Sequence, residues 1–309
     1  MPPGESVHEA ALAALRAGHF LACMLLFGEV LFVAAIEPRA RIRVRWMFAG
    51  IGVALACAVG WLGLTAIAMS GEAPADALRP HVLALVLGGT QFGRVWALRA
   101  GELVLIALGV GFVMRARTPR VRRTGLLVLL LLCAHHLVLL AWMGHAAAAA
   151  GPRLYAELGV DAVHLLAAGA WLGSLPALVA VLRVAPSAHA AIGITQRYSV
   201  LGLASVAIIV ATGVLNASFR SVDPQALVTT DYGRLLLAKL VLFAAMLVLA
   251  AHNRFRLTQR LTRDDPRALG ALRRNATLEI VAGIAVIALV GALGITPPPA
   301  MSGMHMPGM

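Results

Sequence analysis

Charged side chains are scarce in this sequence. Only 13% of its 309 residues are charged, whereas 60% are hydrophobic and the mean hydropathy is +0.86. A soluble domain of this size with that composition would expose a very large apolar surface. The composition therefore argues against a soluble protein and predicts one that lies in lipid.

The chain also lacks the sequence signatures of several enzyme classes. It contains no nucleotide-binding glycine loop, no zinc-protease motif and no nucleophile elbow. Its three cysteines, Cys23, Cys57 and Cys133, all lie inside apolar runs, so we predict small packing residues rather than disulfides. Cys23 alone has a suggestive neighbour, because it follows His19 by four residues. We expect a protein that is not an enzyme.

Long apolar runs recur from end to end with short polar breaks between them. A membrane-spanning helix needs roughly 20 mostly apolar residues, and eight runs satisfy that length. The sequence thus predicts an all-α fold, a polytopic membrane bundle of eight transmembrane helices. The predicted helices are 11–36, 46–70, 96–114, 123–147, 157–182, 198–218, 232–252 and 274–295.

The basic residues predict how this bundle is oriented. A formal net charge of +12 would suggest a nucleic-acid partner in a soluble protein, but 18 of the 26 Lys and Arg residues lie in the breaks after the first, third, fifth and seventh helices. Short arginine-rich loops face the cytoplasm of a bacterial inner membrane. We therefore predict an inner-membrane, multi-pass protein with both termini in the periplasm and no nucleic-acid partner.

Short matching segments suggest that the chain is a duplication. HFLACMLLFG from His19 resembles HLLAAGAWLG from His164, and TQFGRVWALR from Thr90 resembles TDYGRLLLAK from Thr230. Arg-Arg pairs at 122–123 and 273–274 precede the last helix of each half. We predict two weakly similar four-helix halves, 1–150 and 151–296, related by an axis along the membrane normal. Chance similarity between apolar helices is the alternative.

The segment 297–309 differs in kind from the rest. It contains Met304, His305 and Met306 with two further methionines, after three prolines that end the last helix. Thioether and imidazole ligands suit Cu(I) and tolerate Cu(II), and thioethers need no deprotonation. We predict a periplasmic copper-capturing tail, the alternative being an end that is rich in methionine by chance.

Several histidines fall in the outer parts of the predicted helices. His19 and His164 occupy equivalent places in the two halves, and His145 lies near Met143 at the outer end of the fourth helix. A ligating group inside a membrane is costly unless it has a partner, so these four residues are predicted to line one outer-facing metal site. Asp161, one turn before His164, is expected to accept its spare N–H. The alternative is that each histidine is a hydrogen-bonded packing residue.

Further polar residues lie within the helices. His135 and His136 point about 100° apart on a helix, so we expect that they do not face one site. Arg99 and Glu102 are spaced for an ion pair, and Lys239 is the equivalent of Arg99 in the second half, which suggests a buried ion-pair layer. This layer is either structural or an ion path.

Four segments of the second half carry a family resemblance: DAVHLLAAGAWLGSLPAL, RYSVLGLASVAIIVATGVLNASF, TTDYGRLLLAKLVLFAAMLVLAAHNR, and LRRNATLEI with a final LGITPPP. They resemble the CopD family of bacterial copper-resistance membrane proteins, and the first half resembles it more loosely. The resemblance implies copper movement from periplasm to cytoplasm, often beside a periplasmic CopC-like carrier. The alternatives are a haem-binding electron carrier or copper reductase, in which histidines hold haem, and a factor that delivers copper to an oxidase.

Overall fold

The computed structural model describes residues 3–148, 151–185, 187–263 and 265–299. Within these ranges the chain is helical, and eight helices are long and apolar enough to cross a membrane. This confirms the predicted fold class of an eight-span helix bundle. We call them spans 1 to 8: Val7–Ile36, Val44–Ser70, Gln91–Arg115, Pro119–Met143, Pro152–Val184, Ala190–Phe219, Asp231–Leu261 and Arg267–Leu293.

Several spans contain irregular turns, and short helices lie outside them. Span 1 ends in the π-helical Phe32–Ile36, span 4 ends in the 3₁₀ turn Leu139–Met143, and span 5 breaks between Trp171 and Leu175. Span 7 contains the π-helical Asn253–Leu257. The short helices are Pro74–Ala77 and Pro80–Gly89 before span 3, His145–Ala148 after span 4, and Pro224–Thr229 before span 7.

Spans 1 and 5 form the centre of the bundle. Of their apolar windows, 72% and 67% are buried, against 6% to 44% in the other six spans. The two helices cross with their backbones in contact, because a Cβ on Gly28 would overlap the backbone of Gly173, and a Cβ on Gly173 would overlap the carbonyl of Met24. Small residues at such a crossing let membrane helices pack closely.

Spans 3 and 7 begin with the same local structure. Thr90 accepts a hydrogen bond from the Gly93 amide at 2.9 Å, and Thr230 accepts one from the Gly233 amide at 2.9 Å. These are N-caps that satisfy a free amide of the first turn. In both places a Cβ on the glycine would overlap the preceding short helix. The predicted halves therefore share local geometry at matched positions, while the duplication itself stays a prediction.

A buried ion pair holds the loop between spans 1 and 2 against the central spans 1 and 5. Glu29 is 4% exposed and accepts hydrogen bonds from the Arg43 amide at 2.8 Å and from its Nε at 2.9 Å. The Arg43 guanidinium also donates to the carbonyl of Pro176 in span 5 at 3.1 Å. A charge inside a membrane protein needs such partners, and here they tie spans 1 and 5 to the loop between spans 1 and 2.

Candidate metal centre

Three potential metal ligands from two spans converge inside the first half of the bundle. His19 and Cys23 lie one turn apart on span 1, and His136 comes from span 4. One ligand atom from each lies within 4.8 Å of the other two, and each residue is 1% exposed. Residues four apart share a face of a helix, which brings His19 and Cys23 together toward span 4.

Hydrogen bonds fix which nitrogen of each histidine is free. His19 Nδ1 lies 2.8 Å from the carbonyl oxygen of Ala54, which can only accept, so this nitrogen carries the proton. His136 Nδ1 lies 3.1 Å from Glu102 Oε2 and donates to that carboxylate in the same way. Both histidines therefore present an unprotonated Nε2 to the cluster. This is the arrangement of metal-binding histidines, whose second nitrogen is held by a carbonyl or a carboxylate.

A guanidinium group lies at the point on which these ligands converge. Arg99 Nη2 is 2.7 Å from His19 Nε2, 3.3 Å from His136 Nε2 and 3.3 Å from Cys23 Sγ, while Nη1 donates to the carbonyl of His136. Two nitrogen lone pairs and one sulfur thus surround a single positive group. An NH₂ group has two hydrogens for these three acceptors, so the cluster is not fully satisfied by the arginine.

Glu102 anchors the adjacent histidines of span 4. Its two carboxylate oxygens bond separately, Oε1 to His135 Nδ1 and Oε2 to His136 Nδ1. Only His136 belongs to the cluster, and the side chain of His135 is 58% exposed, so the two histidines share Glu102 as a partner but do not share the candidate metal site. The expected Arg99–Glu102 pair is not among the described ion pairs, since Glu102 bonds to the histidines and Arg99 bonds to the cluster.

The predicted site residues have different positions in the structure. His19 lies in the cluster, whereas Met143 is 8% exposed and packs in the hydrophobic core at the end of span 4. The backbone of His145 lies in a 3₁₀ turn, and its side chain is outside the described part of the chain. The tail ligands Met304, His305 and Met306 also fall outside the described residues.

His164 lies apart from the cluster, in the wall of a cavity of about 380 Å³ between span 1 and the second half. Its Nδ1 lies 2.8 Å from the hydroxyl of Thr212, and that hydroxyl donates its proton to the carbonyl of Ile208 at 2.6 Å. Asp161 instead accepts from Asn216 Nδ2 at 3.5 Å. The expected contact between Asp161 and His164 is thus replaced by one with Thr212, which lies across from His164 on span 6.

Two ligands of the cluster were not predicted from the sequence. Cys23 looked like a packing residue, although its four-residue spacing from His19 was a usable signal. His136 was set aside because it lies deep in a span and next to another histidine. An arginine such as Arg99 inside an apolar helix requires acceptors, and this requirement points to buried groups on neighbouring spans.

Sequence comparisons match two parts of the chain to family models. Residues 7–155 match the family described as "Copper resistance protein D-like, N-terminal domain", and residues 192–293 match "Copper resistance protein D". The Copper resistance protein D of Pseudomonas syringae pv. tomato is 34% identical over 253 residues, covering 78% of this chain and 79% of that protein. The chain belongs to the copper resistance protein D family.

Two further relatives extend the match. The inner membrane protein YebZ of Escherichia coli (strain K12) is 31% identical over 92% of this chain and 97% of its own length. The copper transport protein CutJ of Bacillus subtilis (strain 168) is 30% identical over 93% of this chain but only 53% of its own length. No solved structure matches the chain. Membership in this family makes the chain a copper-related membrane protein.

Proposed function

We propose that this chain carries copper across the bacterial inner membrane, from periplasm to cytoplasm, through the cluster of His19, Cys23 and His136. The observation that carries the proposal is the convergence of two free imidazole nitrogens and one thiol in a buried place between spans. Relatives named as copper transport and copper resistance proteins support copper as the cargo. The relative named as an inner membrane protein supports the location.

The donor set favours Cu(I) among the metals. Thiolate is a soft ligand that selects Cu(I), zinc and iron–sulfur clusters, and imidazole suits copper and zinc alike. Zinc in proteins is almost always four-coordinate, whereas the cluster offers three ligands. Zinc with three protein ligands keeps a water in its fourth position, whereas all three residues of the cluster are 1% exposed, so the buried set suits a low-coordinate soft cation.

The depth of the cluster supports entry from the periplasmic side. Arg99 lies eight residues after the start of span 3, about 12 Å along the helix at 1.5 Å per residue. His136 lies seven residues before the end of span 4, at the same face of the bundle. This face, where spans 1, 3, 5 and 7 begin, is opposite to the arginine-rich loops, so by the positive-inside rule it is periplasmic.

The tail and a carrier would deliver copper to this face. Met304, His305 and Met306 are soft or borderline ligands that hold copper without the deprotonation that a thiol requires. A periplasmic CopC-like carrier would release its copper at the same place. Both roles belong to the proposal, and each would raise the local copper concentration above the cluster.

Arg99 gives the transfer step a physical basis. Copper that enters the cluster takes the Nε2 lone pairs that now accept hydrogen bonds from the guanidinium, so the two cations exchange. Glu102, beside His135 and His136, supplies a nearby carboxylate toward which the displaced guanidinium can turn. Cys23 would bind Cu(I) as a thiolate and release its thiol proton to water, so the net charge of the cluster would not change when copper arrives. The return of Arg99 to its ligands favours copper release.

Haem binding, the alternative from the sequence, has less support from the packing around the histidines. The ring of Trp61 lies 6.0 Å from His19, and Arg99 and Cys23 fill the space between the two imidazoles. A porphyrin between His19 and His136 would have to displace all three. An absorption spectrum of the purified protein checks this directly, because bound haem gives a Soret band.

The copper proposal is tested with X-ray absorption and metal analysis on the purified chain lacking residues 300–309, so that tail thioethers do not contribute. We expect one tightly bound Cu(I) with sulfur and nitrogen neighbours. Cys23→Ser is expected to lose the sulfur neighbour and His136→Ala to lose most of the bound copper. Cys57→Ser is the matched control, since Cys57 is a free cysteine outside the cluster.

Transport is measured separately by Cu(I) uptake into proteoliposomes with full-length protein. Cys23→Ser is expected to reduce uptake, while Cys57→Ser leaves it unchanged. If Cys23→Ser and His136→Ala both retain copper and uptake at the level of the control, the cluster is a structural polar group and the proposal fails. Copper bound without uptake would indicate a delivery factor instead of a transporter.

A further inference from the structure

The cavity between span 1 and the second half has a strongly basic wall. Among the described residues its lining includes Arg16 from span 1, Arg220 at the end of span 6 and Lys239 in span 7, against a single carboxylate, Asp161. His164 adds no charge in its neutral form, in which Nδ1 donates to Thr212. The described lining thus has an excess of two positive charges inside a membrane bundle, where ionisable groups need partners.

One of these cations has an unsatisfied donor. Arg16 is 8% exposed, and its Nε is buried with no hydrogen-bond partner in the part of the chain that the structure describes. The face of its guanidinium lies over Trp61 at 4.5 Å, which stabilises the charge but does not satisfy the N–H. Arg220 is held in place by donating to the carbonyl and to the side-chain oxygen of Asn216 at 2.9 and 3.1 Å. The position of Arg220 in the wall is therefore fixed, while the Nε of Arg16 is a donor that lacks an acceptor.

The cavity also opens toward lipid. Spans 6 and 7 pack on spans 5 and 8 and make few contacts with each other. Val210 and Val214 of span 6 and Leu240 of span 7 line the cavity, and they are 47%, 62% and 45% exposed on the outside of the bundle. A molecule with an anionic group and an apolar chain can enter sideways, with the chain against these residues and the anionic group among the cations.

Comparison of the two halves shows which ligands of the cluster have no counterpart in this cavity. In the alignment of the matched segments, Cys23 corresponds to Ala168 and His136 corresponds to Ile287. Ala168 and Ile287 both line the cavity. The second half thus keeps the histidine and the basic residue but has no counterpart of Cys23 or His136, so the excess of positive charge at this place suits an anion.

We propose that this cavity binds an oxyanion group, the phosphate of an anionic membrane lipid that enters between spans 6 and 7. Basic pockets between membrane helices are known to hold anionic lipid headgroups, and guanidinium groups bind phosphate oxygens through paired hydrogen bonds. Inorganic phosphate shares this chemistry and is the other source of the ligand. Binding of an anion at this site does not depend on copper, so this proposal is separate from the proposal of copper transport.

The first test measures lipid retention by native mass spectrometry of the full chain in neutral detergent. Phosphatidylglycerol is expected to bind at one copy and at least about tenfold more tightly than phosphatidylcholine, because both lipids carry the phosphate but only choline brings a positive charge next to the basic wall. The double variant Arg16→Gln/Lys239→Met is expected to lose this preference. Arg234→Gln removes an exposed charge from the same span and is expected to retain it.

The second test needs no variant, because Lys239 is the single lysine of the sequence. Labelling of the Lys239 ε-amine by an amine-reactive reagent, which reacts with the deprotonated form, is followed by peptide mass spectrometry. Phosphatidylglycerol is expected to protect Lys239 from the reagent; protection by inorganic phosphate alone would identify the free anion as the ligand. The proposal is overturned if neither probe protects Lys239 and phosphatidylglycerol binds no better than phosphatidylcholine.

Discussion

Replacement of Arg99 by glutamine should make the protein bind Cu(I) more tightly. In the present structure the Arg99 guanidinium occupies the place on which His19 Nε2, His136 Nε2 and Cys23 Sγ converge, so copper has to break hydrogen bonds to it. A hydrogen bond that involves a charged group contributes about 1.5–3 kcal/mol, and each 1.4 kcal/mol is a factor of ten in affinity. We expect the Kd for Cu(I) to fall by about 10- to 100-fold on this basis.

The same substitution should destabilise the metal-free protein. Without the guanidinium, the two imidazole nitrogens are buried with fewer donors, and each unsatisfied group costs about 1–3 kcal/mol. Bound copper then gives both imidazole nitrogens a partner again. A ligand that binds only the folded protein stabilises the folded state more as the Kd of that ligand falls. The variant should therefore melt at a lower temperature without copper and gain more on copper addition than the wild type.

The affinity is measured by competition with a chromophoric Cu(I) chelator, using protein that lacks residues 300–309. Arg94→Gln is the matched control, because Arg94 is an exposed arginine of the same span that donates to the Gly88 carbonyl. Arg99→Lys keeps the charge and should bind copper with nearly wild-type affinity. An unchanged or weaker affinity in a folded Arg99→Gln variant would refute the idea that the guanidinium and copper compete for the same ligands.

Three further predictions concern the fold and the tail. Gly28→Ala should prevent stable folding, measured as loss of monodisperse protein in gel filtration, because its Cβ would overlap span 5; Gly52→Ala, which has open space around it, should have no effect. Glu29→Gln should lower the thermal stability by roughly 1–3 kcal/mol, since it weakens the bonds to a buried arginine, whereas the exposed Glu72→Gln should not. Removal of residues 300–309 should lower the number of bound copper ions in metal analysis while the tightest site keeps its affinity; loss of that site would show that the tail supplies its ligands.

The sequence alone was sufficient for the membrane architecture. Hydrophobic length is a local property, and a helix that crosses lipid satisfies its own backbone hydrogen bonds, so each of the eight spans could be recognised without its neighbours. The matched starts of spans 3 and 7 were also visible, because the Thr90 and Thr230 caps depend on residues only three positions away.

Which residues form the candidate site depends on how the spans pack against each other. Depth along each span was readable, but the direction in which a side chain faces was not. His19 and His164 looked equivalent in sequence, yet one meets His136 and the other meets Thr212.

Three features of the first half were decided by tertiary structure. His136 became a candidate ligand because Glu102 holds its Nδ1 and turns its Nε2 toward span 1. Cys23, predicted as a packing residue, becomes a candidate ligand because span 4 lies against that face of span 1. Arg99 gained a role because its acceptors come from two other helices.

What the sequence determined by itself is therefore the number and extent of the spans and the presence of soft ligands, since these follow from the composition of continuous segments. The set of candidate ligands and the excess of positive charge in the cavity that His164 lines arise only when helices from distant parts of the chain pack together. The free energy of a buried charge or lone pair depends on the groups that surround it, and only the packed bundle specifies those groups.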